Sequence, residues 1–162
     1  MIYSVDVNDE YRKSKSKLLK YSLLFSFILT ATLTADILLV VLSKENYVAN
    51  LIITIVVTSL FSWFAIYFFT NIYNDINARY RYFKGYESGV KAIEEVQVIK
   101  KDDELIYVNG LYVYPLHIRY FDGLNVVKKV IYVLDDSDIY EPEEKLTITT
   151  YQRILIHAEN HS

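Results

Sequence analysis

The chain has no cysteine, and glycine and proline are scarce: four glycines and two prolines in 162 residues, every one of them after residue 84. The missing cysteine excludes disulfides, thiol nucleophiles and cysteine-ligated metals together, and fits a soluble part that lives in a reducing compartment. The missing glycine and proline leave the first half without a helix breaker. Charge is the third absence, because between Tyr21 and Tyr73 the charged side chains are Asp36, Lys44 and Glu45 alone.

What fills that stretch is two apolar runs, residues 21–42 and 48–73, of 22 and 26 residues. A bilayer core takes about 20 apolar residues of helix, so each run is long enough to cross one. Helices of a soluble bundle carry a polar face, and these runs barely do. The first run is too long for the roughly 7–15-residue core of a cleaved signal. Cleavage after Ala35 would also put Leu33 at the −3 position, so the run is expected to be retained.

Basic residues set the expected orientation. Arg12, Lys13, Lys15, Lys17 and Lys20 precede the first run, Arg79, Arg81 and Lys84 follow the second, and the connecting loop holds Lys44 beside Glu45. That asymmetry predicts a two-pass protein of the cell membrane with both termini cytoplasmic. Lys17, Lys20, Arg79, Arg81 and Lys84, with Trp63, Tyr67 and Tyr73, are the expected interface anchors. Net charge is −3, but residues 87–162 carry 14 acidic against 8 basic groups. An acidic domain argues against nucleic acid, which needs clustered Lys and Arg.

The organisation expected is a basic N-terminal segment (1–20), loosely ordered over its first ten residues, then a helical hairpin (21–73), a juxtamembrane helix and junction (74–88) and a β-domain (89–162). The juxtamembrane helix should stop near Gly85, with Gly85 and Gly89 as cap or hinge. In the last segment, two β-rich runs flank Asn109-Gly110, the strongest short hairpin signal because both turn residues need positive φ. Asp122-Gly123 marks a second hairpin. Pro115 cannot donate to a ladder and marks a bend, bulge or edge. Residues 145–158 read as one closing strand. The fold class expected is therefore a membrane α-helical hairpin plus a small all-β domain of about five antiparallel strands. Closing the sheet into an SH3-like or OB-like barrel removes its edges; an open meander is the alternative.

The stretches YVNGL (107–111), the hairpin around Asp122-Gly123, and LTITTYQRILI (146–156), taken with the layout, resemble small bacterial membrane proteins with a two-helix hairpin and a C-terminal compact β-domain. The resemblance implies fold and place, since such families have no assigned chemistry.

Asp36 is the outstanding single residue. It lies six residues inside the first run, about 9 Å below its end at 1.5 Å per residue. A carboxylate there costs on the order of 2–3 kcal/mol on insertion scales, so a partner should offset it. Ser22, Ser26 and Asp36 share one stripe, with Thr32 a turn before Asp36; Thr54 and Thr58 form a facing stripe. A hydrogen bond from Thr54 or Thr32 to Asp36 would glue the hairpin, and the same face is a candidate contact for a partner helix.

No catalytic constellation is legible. The acids of residues 135–144 lack the glycine and alternation of a calcium loop. His117, His157 and His161 form no H-x-x-x-H or H-E-x-x-H spacing, and no G-x-S-x-G elbow or phosphate-cradling glycine loop is present. No cofactor or metal is expected. The function expected is a non-enzymatic membrane-tethered adaptor or accessory subunit. Its partners would be the lipid bilayer and another membrane or cytosolic protein, or a second copy of itself. A membrane immunity protein against a toxin or bacteriocin is the alternative.

Overall fold

The computed structural model describes residues 3–41, 47–122, 125–134 and 145–160. Of the expected connecting turn (43–47), residues 43–46 lie outside them, as do Gly123, the acidic loop (135–144) and His161. The chain divides into two compact units, Lys13–Asn77 and Met1–Arg12 with Ala78–Ser162.

The first unit is an antiparallel pair of apolar helices. Helix α1 runs Val7–Val41 and α2 runs Tyr47–Tyr67. Asp6 opens α1 as an N-cap, its Oδ1 accepting from the Asp9 N–H at 3.0 Å. Leu18, Tyr21, Phe25, Ile28, Thr32, Asp36 and Leu39 form the part-buried stripe of α1, against Asn50, Thr54, Val57, Phe61, Ala65, Phe68 and Ile72. Spacings of three and four are those of a coiled-coil seam. Phe25 anchors the end away from the connecting turn, 4.8 Å from the Phe68 ring and 5.0 Å from Phe69.

Two neighbouring phenylalanines reach one ring because the helix changes pitch there. Residues Phe68–Tyr73 form a π-helical segment, in which the Asn74 N–H bonds to Phe69 O. Asn71 Nδ2 also donates to Tyr67 O at 3.1 Å, diverting a carbonyl from the ordinary ladder. Such segments are rare and gather at functional sites. Helix α3, Asn74–Tyr86, follows directly.

The second unit holds a seven-stranded mixed sheet: β1 (Tyr3–Ser4), β2 (Lys91–Lys101), β3 (Ile106–Val108), β4 (Leu111–Asp122), β5 (Asn125–Val133), β6 (Lys145–Tyr151) and β7 (Ile154–Asn160). Five strands close a ring of hydrogen bonds in the order β2–β4–β5–β7–β6 and back to β2. The expectation of purely antiparallel strands is corrected at one place: β5 and β7 pair in parallel, at Tyr132↔Ile154. The supposed single closing strand is two, because Gln152 and Arg153 both take positive φ (49° and 67°) and fold β7 back on β6. Neither residue is a usual turn former, so composition gave no signal. The N-terminus is not loose either: Tyr3 pairs with Ala158 and is buried.

Inside the ring Val96, Val98, Leu116, Ile118, Ile131, Leu146, Ile148 and Leu155 pack together. A second core lies outside it, where Tyr82 and Phe83 of α3 meet Leu111, Val113, Tyr151, Ile154 and Ile156, with Val7 and Tyr11 alongside. Glycines make this joint possible. A Cβ on Gly89 would sit 2.1 Å from Tyr151 Cε2, and one on Gly85 2.8 Å from its hydroxyl. Both glycines are close-approach points, and α3 ends at Tyr86, one residue past Gly85, near where the stop was expected.

Candidate functional site

Asp36 does find a donor, and it is Thr58: Thr58 Oγ1 donates to Asp36 Oδ2 at 2.9 Å. Thr32 instead donates to Ile28 O, one turn back on its own helix. Thr54 Oγ1 and Asp36 Oδ1 are both buried, and neither has a hydrogen-bond partner among the described residues. Thr58 lies one turn further along α2 than Thr54, the residue that simple depth-matching puts opposite Asp36. A second polar tie, from Asn50 Nδ2 to Leu39 O at 3.4 Å, lies nearer the turn. Ser22 and Ser26 are exposed, one position off the part-buried stripe, so they do not join Asp36 in the seam.

The expected interface anchors divide. Lys17, Lys20, Trp63 and Tyr67 are exposed, and Tyr73 is half-buried against Phe68 and Phe69. Arg79 forms an ion pair with Glu10 and lies 5.9 Å over the Phe83 ring. Lys84 stands 5.7 Å over the Tyr80 ring, and Tyr80 stacks on Tyr11 at 5.6 Å. Hydrogen bonding to Tyr80 pushes the Tyr11 phenol above its ordinary pKa, with burial adding to the effect. Arg81 is exposed.

On the sheet, the Asn109-Gly110 turn forms as expected: Val108 pairs with Leu111 across it, at φ of 53° and 82°. The second hairpin keeps Asp122 in the ladder, paired with Asn125. Pro115 is buried in mid-strand, between the stretches of β4 that face β2 and β3, where no strand asks it for a proton. Its carbonyl accepts from the Asp102 N–H at 2.9 Å.

The ring is incompletely sealed along β5. Strand β4 pairs with β5 from end to end, but β7 touches it at Tyr132 alone. The Tyr132 N–H donates to Arg153 O at 2.9 Å, away from β4. Strand alternation then points the N–H groups of Val130 and Lys128 the same way, and among the described residues nothing pairs with them. Beside this edge the exposed apolar pair Phe121 and Val126 face each other across the hairpin. Tyr107 and Tyr112 form a second exposed pair, ring centroids 5.0 Å apart.

His117 turns Nε2 onto Asp102 Oδ2 at 2.8 Å, while Lys100 donates to Asp102 Oδ1 at 2.7 Å. The Lys100 hydrogen bond, then that of His117, holds the Asp102 carboxyl below its ordinary range. Among the described residues no hydroxyl bonds the other ring nitrogen of His117, and no cluster of three His, Asp or Glu side chains is set to hold a metal. No protein-family model, curated protein or solved structure matches this chain.

Proposed function

We propose that the chain is a two-pass protein of the cell membrane, both termini cytoplasmic, acting as a non-enzymatic adaptor that offers its β-domain to a protein partner. Support for the anchor is two helices long and apolar enough to cross a bilayer and the basic flanks of their outer ends. The ring order supports a small OB-like barrel: counting ring strands along the chain, the first pairs with both second and fourth, and the third runs parallel to the fifth.

The observation that carries the adaptor reading is the β5 edge. An edge with outward N–H groups accepts an extended segment by strand addition, in which main-chain hydrogen bonds give affinity and side-chain pockets give selectivity. Lys128 beside it guards against indiscriminate pairing. The apolar Phe121–Val126 tip supplies the side-chain contact.

A photo-crosslinking residue at Val126, in the full chain in its native membrane, tests this. It should capture one discrete partner band, and Val130→Pro, which removes an outward donor without touching the β4 ladder, should abolish that band. The same band at full yield in Val130→Pro would sink the edge reading. Orientation has its own test. A cysteine at Asn46 should react with an impermeant thiol reagent on intact cells and one at Glu104 should not; the reverse pattern overturns the topology.

A further inference from the structure

Three basic residues follow the second apolar helix, and the fold employs two. Arg79 is taken by Glu10 and Lys84 rests on Tyr80. Arg81 has no ion pair or hydrogen bond among the described residues, and it lines an open cavity of about 450 Å³. Ala78 and Tyr82 of α3, Asn109 and Gly110 of the β3–β4 turn, and Gln152 of the β6–β7 turn complete the wall. None of these residues is acidic, in a domain whose residues 87–162 carry 14 acids against 8 bases.

The wall is built from tightly constrained pieces of backbone. Both turns sit at positive φ, Asn109 at 53°, Gly110 at 82° and Gln152 at 49°. For Gln152 that conformation is strained, and it persists where the surroundings over-determine it. Gly110 lies so close to α3 that a Cβ would stand 2.2 Å from the Ala78 Cβ, which fixes the turn against the helix. Tyr82 spends its hydroxyl on Tyr151 O at 2.8 Å, and Gln152 Nε2 donates to the Tyr151 hydroxyl at 3.2 Å. The Asn109 amide reaches Gln152 O only at 3.5 Å, the outer limit of a hydrogen bond, so its donors remain open to a better acceptor.

We infer that this cavity binds a phosphate group, with Arg81 as the charged fork and Asn109 as the neutral donor. A guanidinium matches phosphate oxygens in a bidentate pair, and a wall fixed beforehand spares the ordering cost of binding. The volume exceeds that of a phosphate alone, leaving room for what the phosphate is esterified to. Two sources share this chemistry: the headgroup of an anionic lipid, and a water-soluble phosphate or its ester. Arg81 lies eight residues beyond Tyr73, where the apolar run ends, so both have access to the helix that carries it.

The experiment uses the full chain with two probes. Inorganic phosphate is titrated calorimetrically onto protein in phosphatidylcholine nanodiscs, and phosphatidic acid binding is counted by native mass spectrometry from neutral detergent. At least one probe should bind. Arg81→Gln should weaken it about tenfold or more, as loss of a charged hydrogen-bonding pair does, while Lys84→Gln leaves it unchanged. Asn109→Gly keeps the positive-φ turn and should cost a few-fold, which guards against a folding artefact at Arg81. Binding of phosphatidic acid without phosphate assigns the site to lipid; binding of phosphate assigns it to soluble ligands. The inference is overturned if neither probe binds the wild-type chain, or if Arg81→Gln costs no more than Lys84→Gln.

Discussion

In the helical unit 22 large apolar side chains are exposed, Trp63 at 81% and Phe27 at 73% among them, and Phe68 is the one buried hydrophobic residue among those described. In the β-unit the proportions invert, with 18 buried hydrophobic residues against 7 exposed large ones among the described residues. A sheet that closes on itself spends its apolar surface on its own interior and gains the hydrophobic effect in water. A two-helix hairpin has one narrow seam and leaves everything else outward. That is costly in water and neutral against lipid tails, where seam packing and hydrogen bonds are what remain to hold helices together. The same residue types therefore do different work in the two units, and substitutions should expose the difference.

The largest effect expected is at Phe83, buried to 1% between α3 and the sheet. Phe83→Ala should cost about 3–5 kcal/mol by loss of burial and creation of a cavity. Phe27→Ala, at 73% exposure on α1, should change the stability of the chain in lipid by about 0.5 kcal/mol or less. Urea or thermal unfolding of both variants in nanodiscs checks the pair; equal destabilisation would mean that Phe27 faces protein rather than lipid. Next in size is Gly110→Ala. It combines φ of +82° with a clash against Ala78, and is expected to cost about 2–3 kcal/mol. Arg153→Gly, at φ of 67° on the neighbouring turn, should be neutral or stabilise by up to about 1 kcal/mol, since glycine carries no steric penalty there.

These two turns also mark how far residues alone lead. Asn109-Gly110 is legible because only a few residue types tolerate positive φ without strain, so the pair announces itself. Gln152-Arg153 adopts the same geometry with residues that announce nothing, and one closing strand became two. The parallel pairing of β5 with β7 follows from that extra strand and was illegible for the same reason. The apolar helices were legible throughout, because length and lack of charge are properties of composition. The exact partner of Asp36 was not, since Thr54 and Thr58 stand one turn apart on the same helix and the choice between them leaves no mark in hydropathy. Likewise Arg79, Arg81 and Lys84 look alike as a basic cluster, and only the fold separates the paired residues from the one left over.

Within the hairpin the threonines sharpen the comparison at lower amplitude. Thr58→Val removes the hydrogen bond to Asp36 and should cost about 0.6–1.7 kcal/mol, the range measured for such pairs between membrane helices. Thr54→Val removes a buried hydroxyl that already lacks a partner, so it should be neutral or mildly stabilising. Helix-association free energy in detergent, measured for both, decides. Equal costs would show that both threonines serve Asp36, and a cost confined to Thr54 that it is the partner rather than Thr58.

The smallest effect expected belongs to the β-unit's surface, where polar groups are bound in water. The Asp102 carboxyl is held low, first by the Lys100 hydrogen bond and then by His117, and Glu159 is held low by His157. A carboxylate whose folded pKa is depressed binds fewer protons than in the unfolded chain, so its stabilisation is complete above the unfolded value of about 4. It is lost as pH falls through the folded value. Stability should therefore decline on acidification below about pH 4 from these two sites, with little change contributed by them between pH 5 and 8. Carbon-detected titration of the Asp102 carboxyl should give a midpoint below the ordinary range. Lys100→Ala should raise it further than His117→Phe does, because the lysine hydrogen bond is the larger cause. A larger rise in His117→Phe would reverse that ranking and make the histidine the principal partner, and both surfaces are solvated enough that neither variant should disturb the ring core beneath them.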